Sequence, residues 1–254
     1  MKYLTFCLFL LTCISASAQH ENLIINVKGI PIKMIWVQGG SFTMGATDDQ
    51  TDDAYECEKP AHSVTLHSYY IGQTEVTQAL WKAGMDSVPC NLKGDYLPVN
   101  QVCWNDCRSF IKKLNDLTGF KFRLPTEAEW EFAAMGGNKS KGYKYSGSNT
   151  LGDIAWYANN SGGKTQPVAT KLPNELGIYD MSGNVWEWCQ DRYKKYSSRT
   201  RSNPTGPLLG SCRVIRGGDQ RCLDRDCRTT NRAFHKKKET IVDRELGFRL
   251  ALSE

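Results

Sequence analysis

Two thiols, Cys222 and Cys227, with four residues between them, stand between the turns Arg216-Gly217-Gly218 and Gly247-Phe248-Arg249. On a helix, residues at this spacing diverge by roughly 140°, because a turn takes 3.6 residues. On a strand they face opposite sides. Only an irregular loop can bring both sulfurs to one ion, or to each other. The same loop carries Asp219, Gln220 and Arg221, candidate contacts for whatever meets it. Two other sets look chemical at first sight. Glu127, Glu129 and Glu131 follow Pro125-Thr126, but acids in a helix's first turn are favoured by its dipole and read as structural. His62 and His67 sit in an alternating stretch with no further ligand at a metal-binding spacing, so they read as strand-face residues.

The elements that must position the loop are partly legible. Met34-Ile35-Trp36-Val37 is a strand-like run ending at Gly39-Gly40, with Ser41-Phe42-Thr43-Met44-Gly45 as its expected hairpin partner. Residues 19–30 read as a lead-in, 46–60 as an acidic surface loop, and 62–70 as one further strand. A helix is expected over 74–85, capped by Thr74. Another is expected over 104–117, where Trp104, Cys107, Phe110, Ile111, Leu114 and Leu117 recur at helical spacing. Thr126 and Glu129 form a capping box that opens a third. Beyond Met135 helical periodicity stops, and short alternating runs such as Val185-Trp186-Glu187-Trp188 and Arg213-Val214-Ile215-Arg216 follow. The class is α+β: a few helices on small antiparallel sheets, with much irregular chain.

The N-terminus reads as an export signal. Lys2 precedes the apolar run Leu4-Thr5-Phe6-Cys7-Leu8-Phe9-Leu10-Leu11, and Ala16-Ser17-Ala18 is a cleavage site. Cleavage after Ala18 is favoured over lipidation at Cys13, whose preceding Thr12 is larger than usual. This gives a signal peptide over 1–18 and a single domain over 19–254, periplasmic or secreted. The apolar run is too short to span a bilayer, and no transmembrane segment follows. Of 10 cysteines, Cys7 and Cys13 leave with the signal; in an oxidising compartment the even remainder favours disulfides without fixing their pairing. A net charge of +5, with no basic stripe interleaved with aromatics, argues against a nucleic-acid partner.

Six motifs occur in order: Trp36-Val37-Gln38-Gly39-Gly40-Ser41-Phe42-Thr43-Met44-Gly45, Thr74-Glu75-Val76-Thr77, Arg123-Leu124-Pro125-Thr126-Glu127-Ala128-Glu129-Trp130-Glu131, Gly183-Asn184-Val185-Trp186-Glu187-Trp188, Arg216-Gly217-Gly218 and Gly247-Phe248-Arg249. Together they resemble the formylglycine-generating enzyme family, the sulfatase-modifying factors, over nearly the whole mature chain. The resemblance implies a C-type-lectin-like fold with calcium-stabilised loops. It also implies a copper(I) held by Cys222 and Cys227 as catalytic residues, with Trp186 beside a groove for a sulfatase-type C-x-P-x-R client peptide. Its cysteine would be oxidised there to formylglycine in a copper- and oxygen-dependent reaction. Soft thiolates do select copper(I). The family carries a serine and an aromatic after Gly-Gly where this chain has Asp219 and Gln220. It carries histidine where this chain has Leu223, and Ser-Tyr where Arg225-Asp226 stands. An acid in the serine's place alters both the ion's electrostatics and the oxygen pocket. The alternative is a non-catalytic lectin-like binding or assembly module. In it Cys222 and Cys227 are oxidised or structural, and the loop meets a protein or glycan ligand.

The resemblance further implies a calcium site from Asp180 and Glu187 side chains with Gly183 and Val185 carbonyls, the mixed oxygen set that calcium takes. A second set would be Asp153, the Ile154 carbonyl, Asn160 and the Gly162 carbonyl. Without metal, the first set reads as a Gly-Asn turn leading into a strand.

Overall fold

The computed structural model describes residues 20–47, 53–236 and 245–253; the expected export signal lies outside them. Three small sheets and four α-helices make the fold. The first sheet is ordered β1 (Leu23–Val27), β2 (Ile30–Val37), β5 (Tyr69–Gly72), β12 (Ala251–Ser253) and β6 (Phe122–Arg123). The second pairs β3 (Gly40–Met44) with β4 (His62–Leu66) and β8 (Arg201–Ser202). The third runs β10 (Arg232–Lys236), β9 (Cys212–Arg216), β7 (Trp186–Arg192) and β11 (Leu246–Gly247). Short curled sheets with few helices and long loops are the α+β architecture expected.

Several boundaries differ from the sequence reading for identifiable reasons. The lead-in is a real strand: Leu23 to Val27 pair antiparallel with β2 and put Ile25 and Val27 into the core. The expected hairpin across Gly39-Gly40 does not form. β2 pairs with β1 and β5, while β3 pairs with β4 in the next sheet. Gly39 is the crossing point, since a Cβ there would lie 2.5 Å from the Leu66 carbonyl oxygen. The stretch 62–70 likewise divides between β4 and β5, because the chain changes sheets at His67-Ser68.

Helix α1 (Gln78–Gly84) starts later than expected: Thr77, not Thr74, caps it, accepting from the Leu80 amide at 3.2 Å. Helix α2 (Trp104–Thr118) follows its periodicity, with Trp104, Cys107, Phe110, Ile111 and Leu114 buried and Gly119 closing it at φ 74°. Helix α3 (Glu127–Ala134) has the capping box anticipated from Thr126 and Glu129. Helix α4 (Leu151–Ile154) is one turn that lies under the thiol loop. One core packs the first sheet against α1, α2, Trp186 and Trp188, and the other packs α3 between the second and third sheets. Among the described residues no helix is long and apolar enough to cross a membrane.

Candidate functional site

The thiol loop leaves β9 at Arg216 through two glycines with φ 97° and 78°, a conformation costly for any residue with a side chain. Gly218 is also needed for space. A Cβ there would sit 3.0 Å from Cys227 Sγ and 3.1 Å from the Asp226 carbonyl oxygen. Beyond the glycines the chain tightens on itself: the Cys222 amide donates to the Asp219 carbonyl at 3.0 Å, and a 3-10 turn, Asp224–Cys227, returns it inward. Outside contacts clamp the loop. The Ser161 hydroxyl donates to the Gln220 carbonyl at 2.6 Å, the Ser182 hydroxyl to the Cys227 carbonyl at 2.7 Å, and the Ala158 amide to the Cys222 carbonyl at 3.0 Å.

This folding brings the two sulfurs to one apolar pocket. Cys227 is buried among Tyr145, Leu151, Ile154 and Ala155, and Cys222 packs against the same cluster while keeping partial exposure. Neither is in a disulfide, and the other cysteines from Cys57 to Cys212 are free as well. Burial and then the neighbouring Asp219 push the Cys222 thiol up to about 12. Burial also carries Cys227 well above the ordinary thiol range, with Cys222, Asp226, Asp219 and Asp224 adding to it. The donor set suits copper(I) in kind, two soft sulfurs against one apolar cluster. An ion would have to displace both protons, though the surrounding acids would welcome its charge.

The expected substrate contacts divide. Asp219 is buried and accepts from the Arg221 amide at 2.9 Å. Gln220 is buried with its Oε1 unpartnered. Arg221 is half exposed and donates to Glu245 at 3.0 Å. Trp186, expected beside a groove, is a core residue sharing a cluster with Trp188 and Phe248. What the loop shows to solvent is residues 221–226 only, with Leu223 60% exposed. Arg225 stacks on the Tyr55 ring at 3.8 Å, and the Tyr55 hydroxyl donates to Asp226 at 3.0 Å.

Of the first calcium set, Glu187 is engaged by an arginine and a tryptophan. Glu187 accepts from Arg249 Nε and Nη2, each at 2.6 Å, and from Trp130 Nε1 at 2.8 Å. Its carboxylate is the arginine's counter-ion. Asp180 accepts from the Ala169 amide at 2.7 Å and keeps Oδ1 unpartnered. It sits in one buried electrostatic cluster with Glu75, Glu187 and Arg249. Gly183 and Asn184 form the expected turn, at φ 82° and 60°, and Val185 is buried. In the second set Asn160 is consumed locally: it accepts from the Tyr157 amide and donates to the Ala155 carbonyl, each at 2.9 Å. Asp153 is exposed on α4, Ile154 is core, and Gly162 is exposed. Among the described residues no group of three or more His, Cys, Asp or Glu could hold a metal ion.

The Sulfatase-modifying factor enzyme 1-like domain matches residues 26–254. The chain belongs to this family. A chaperone protein, LppX of Paenibacillus barcinonensis, is 36% identical over 73% of this chain and 77% of its own. The formylglycine-generating enzyme of Streptomyces coelicolor is 28% identical over 84% of this chain and 87% of its own. Among solved structures, Treponema denticola variable protein 1 superposes with a TM-score of 0.85 at 30% identity, covering 93% of this chain and all of that one.

Sequence reading missed what holds this sulfatase-modifying-factor domain together around the loop. Glu58, assigned to a surface loop, is fully buried; Arg228 Nη1 donates to it at 2.7 Å, as does the Thr230 hydroxyl. Glu127 takes Arg232 Nε and Nη2, each at 2.7 Å. Glu131 pairs with Arg216 and accepts from the Gly45 amide at 2.7 Å. The signal was present: Glu127 and Glu131 are one helical turn apart, while Arg216, Arg228 and Arg232 fall within the stretch 216–232. Sequence cannot say which acid meets which arginine.

Proposed function

We propose that this domain is an exported binding module that recognises a polypeptide client through the exposed turn 221–226. The observation that carries this is the loop's division of labour. Its thiols, Cys227 buried and Cys222 half-buried, are ringed by Asp219, Asp224 and Asp226, which oppose thiolate formation. Its solvent face offers an apolar Leu223 among charges of both signs, a mixture suited to a protein surface. The 36% identity with a relative named a chaperone supports the reading, as does the likeness to a variable protein.

A second reading is favoured by the free thiols sharing one pocket. In it Cys222 and Cys227 would hold copper(I), which supplies the one-electron and oxygen chemistry needed to oxidise the cysteine of a C-x-P-x-R peptide. The chain's own part would be to give up both thiol protons, keep water from the pocket through Tyr145, Leu151 and Ile154, and admit the peptide past Cys222, the more exposed sulfur.

One pair of assays separates the two. Thiol counting followed by anaerobic copper(I) titration should show no stoichiometric ion, and a C-x-P-x-R peptide under oxygen with copper should stay unchanged by mass and by hydrazine capture. Selection from a displayed peptide library should yield binders lost by Arg221→Glu/Arg225→Glu and kept by Cys222→Ser. Conversion of the peptide by wild type, abolished in Cys222→Ala and Cys227→Ala, overturns the binding reading.

A further inference from the structure

No acidic residue occurs between Asp191 and Asp219, and Arg192, Lys194, Lys195, Arg199 and Arg201 fall at the start of that interval. The fold gathers much of this charge into one cleft. After β7 the chain loops out and returns as β8, which lies parallel to β4. Between them opens a cavity of about 400 Å³ lined by Arg192, Lys194, Lys195 and Arg201, within the size range of small-ligand sites. It is separate from the thiol pocket.

The cleft's positive charge is not cancelled from within. The acids lining it are Glu127 and Asp191. Glu127 is already neutralised by Arg232. Asp191 is buried, accepts from the Glu127 amide at 3.0 Å, and has its carboxyl pushed up to about 8 by burial and then the Glu127 charge. Burial lowers the His62 ring, also in the wall, from its ordinary value. Arg201 donates to the Ser197 hydroxyl and Arg192 to the Gly210 carbonyl, both uncharged partners. Among the described residues no ion pair engages Lys194, Lys195, Arg192 or Arg201. The cleft is also built rather than loose. The Arg232 guanidinium donates to the Lys194 carbonyl at 3.0 Å. Gly206 packs so closely that a Cβ there would meet Asp191 Cβ at 2.9 Å.

Between the cations the wall carries Ser202 and Thr205, side chains that exchange hydrogen bonds with hydroxyls. Asn203 is spent on the fold, accepting from the His67 amide at 2.7 Å and donating to the Ser202 hydroxyl at 3.2 Å. Its aromatic, Tyr196, has its hydroxyl on Glu127 and its ring against Arg232 and His62, so it is not free to stack a nucleobase. We propose that this cleft binds an acidic saccharide, hydroxyl-rich rings carrying carboxylate or sulfate groups. Lys194, Lys195 and Arg201 meet the anionic groups, and the Ser202 and Thr205 hydroxyls meet those of the sugar.

Calorimetric titration of the mature protein with an oligogalacturonate and with a sulfated disaccharide tests this, at 20 and 300 mM salt. The comparison ligands are cellobiose, a hexaglutamate peptide and anionic phosphatidylglycerol vesicles. The expected result is saturable binding of an acidic saccharide and none of cellobiose. Affinity should fall with salt, as screening requires. Lys194→Gln/Lys195→Gln should weaken it at least about tenfold, the scale of one lost charge-assisted contact, with an unchanged melting temperature because both side chains are exposed. Arg221→Glu/Arg225→Glu should bind the saccharide normally, which keeps this site distinct from the turn. The inference is overturned if neither acidic saccharide binds at low salt, if the lysine pair can be replaced without effect, or if hexaglutamate or vesicles bind better.

Discussion

Glu187, one of the expected calcium ligands, is held by Arg249, and its neighbours make its role measurable. Arg249 is fully buried, and Glu187 is its bidentate partner. Breaking a buried pair by removing one partner costs about 3–5 kcal/mol, on the order of 10 °C in melting temperature for a domain of this size. The two halves should not cost the same. In Glu187→Gln the arginine still faces Glu75 and Asp180, whose charges reach it, so the loss belongs at the lower end. In Arg249→Met three buried carboxyls lose their only shared cation, and the Gly72 and Tyr179 carbonyls lose a donor, so the loss belongs at the upper end or beyond. The double variant should lose less than the sum of the singles. The assay is urea unfolding of the four proteins, each with and without EDTA, and the chelator should shift none of them. If EDTA destabilises wild type and that response disappears in Glu187→Gln, Glu187 is a metal ligand and the reasoning fails. If Glu187→Gln proves costlier than Arg249→Met, the charge accounting is at fault.

Further outcomes follow from the same geometry. Gly218→Ala should destabilise by more than about 1 kcal/mol, since its φ is positive and the new methyl meets Cys227 Sγ at 3.0 Å; thermal melting and Cys227 alkylation rates should both report it. Glu131 and Asp191 have folded values raised to about 7 and about 8, chiefly by burial. An acid whose folded value is raised binds protons more tightly when folded, so stability should fall as pH rises from about 5 to 8. Asp191→Asn should flatten the upper part of that slope in pH-resolved melts, and a flat wild-type profile would count against both assignments. Thr126→Ala should cost about 1 kcal/mol through the lost α3 cap, measured by chemical denaturation.

Helices α2 and α3 were legible because their signals are local. The α2 periodicity and the α3 capping box both lie within a few residues of the structure they specify. Sheet membership was not, because Gly39 marks a crossing only if one knows that Leu66 lies across from it. The thiol loop was legible as a loop, and both its cysteines pack on one apolar cluster, but the burial of residues 227–232 was not legible. Their arginines find partners only when Glu58 and Glu127 arrive from far away in sequence. Glu75 went unread for a related reason. It stands inside a quoted motif, yet only the fold shows that burial, Asp180 and Glu187 raise its carboxyl well above the usual range.

The long-range arginine–glutamate pairs have a consequence for how this chain must be made. Glu58 waits for Arg228, Glu127 for Arg232 and Glu131 for Arg216, separations of 170, 105 and 85 residues. A nascent chain emerging N-terminus first holds these acids before their partners exist. Closing α3 against β3 and β4 early would strand carboxylates in an apolar interior, at a cost of several kcal/mol each. The first half should therefore stay open until residues 216–232 arrive, a delay that the pairing builds into folding. For any product truncated before Arg232 it is lethal, and such fragments should be found as protease-sensitive chains rather than as smaller folded domains.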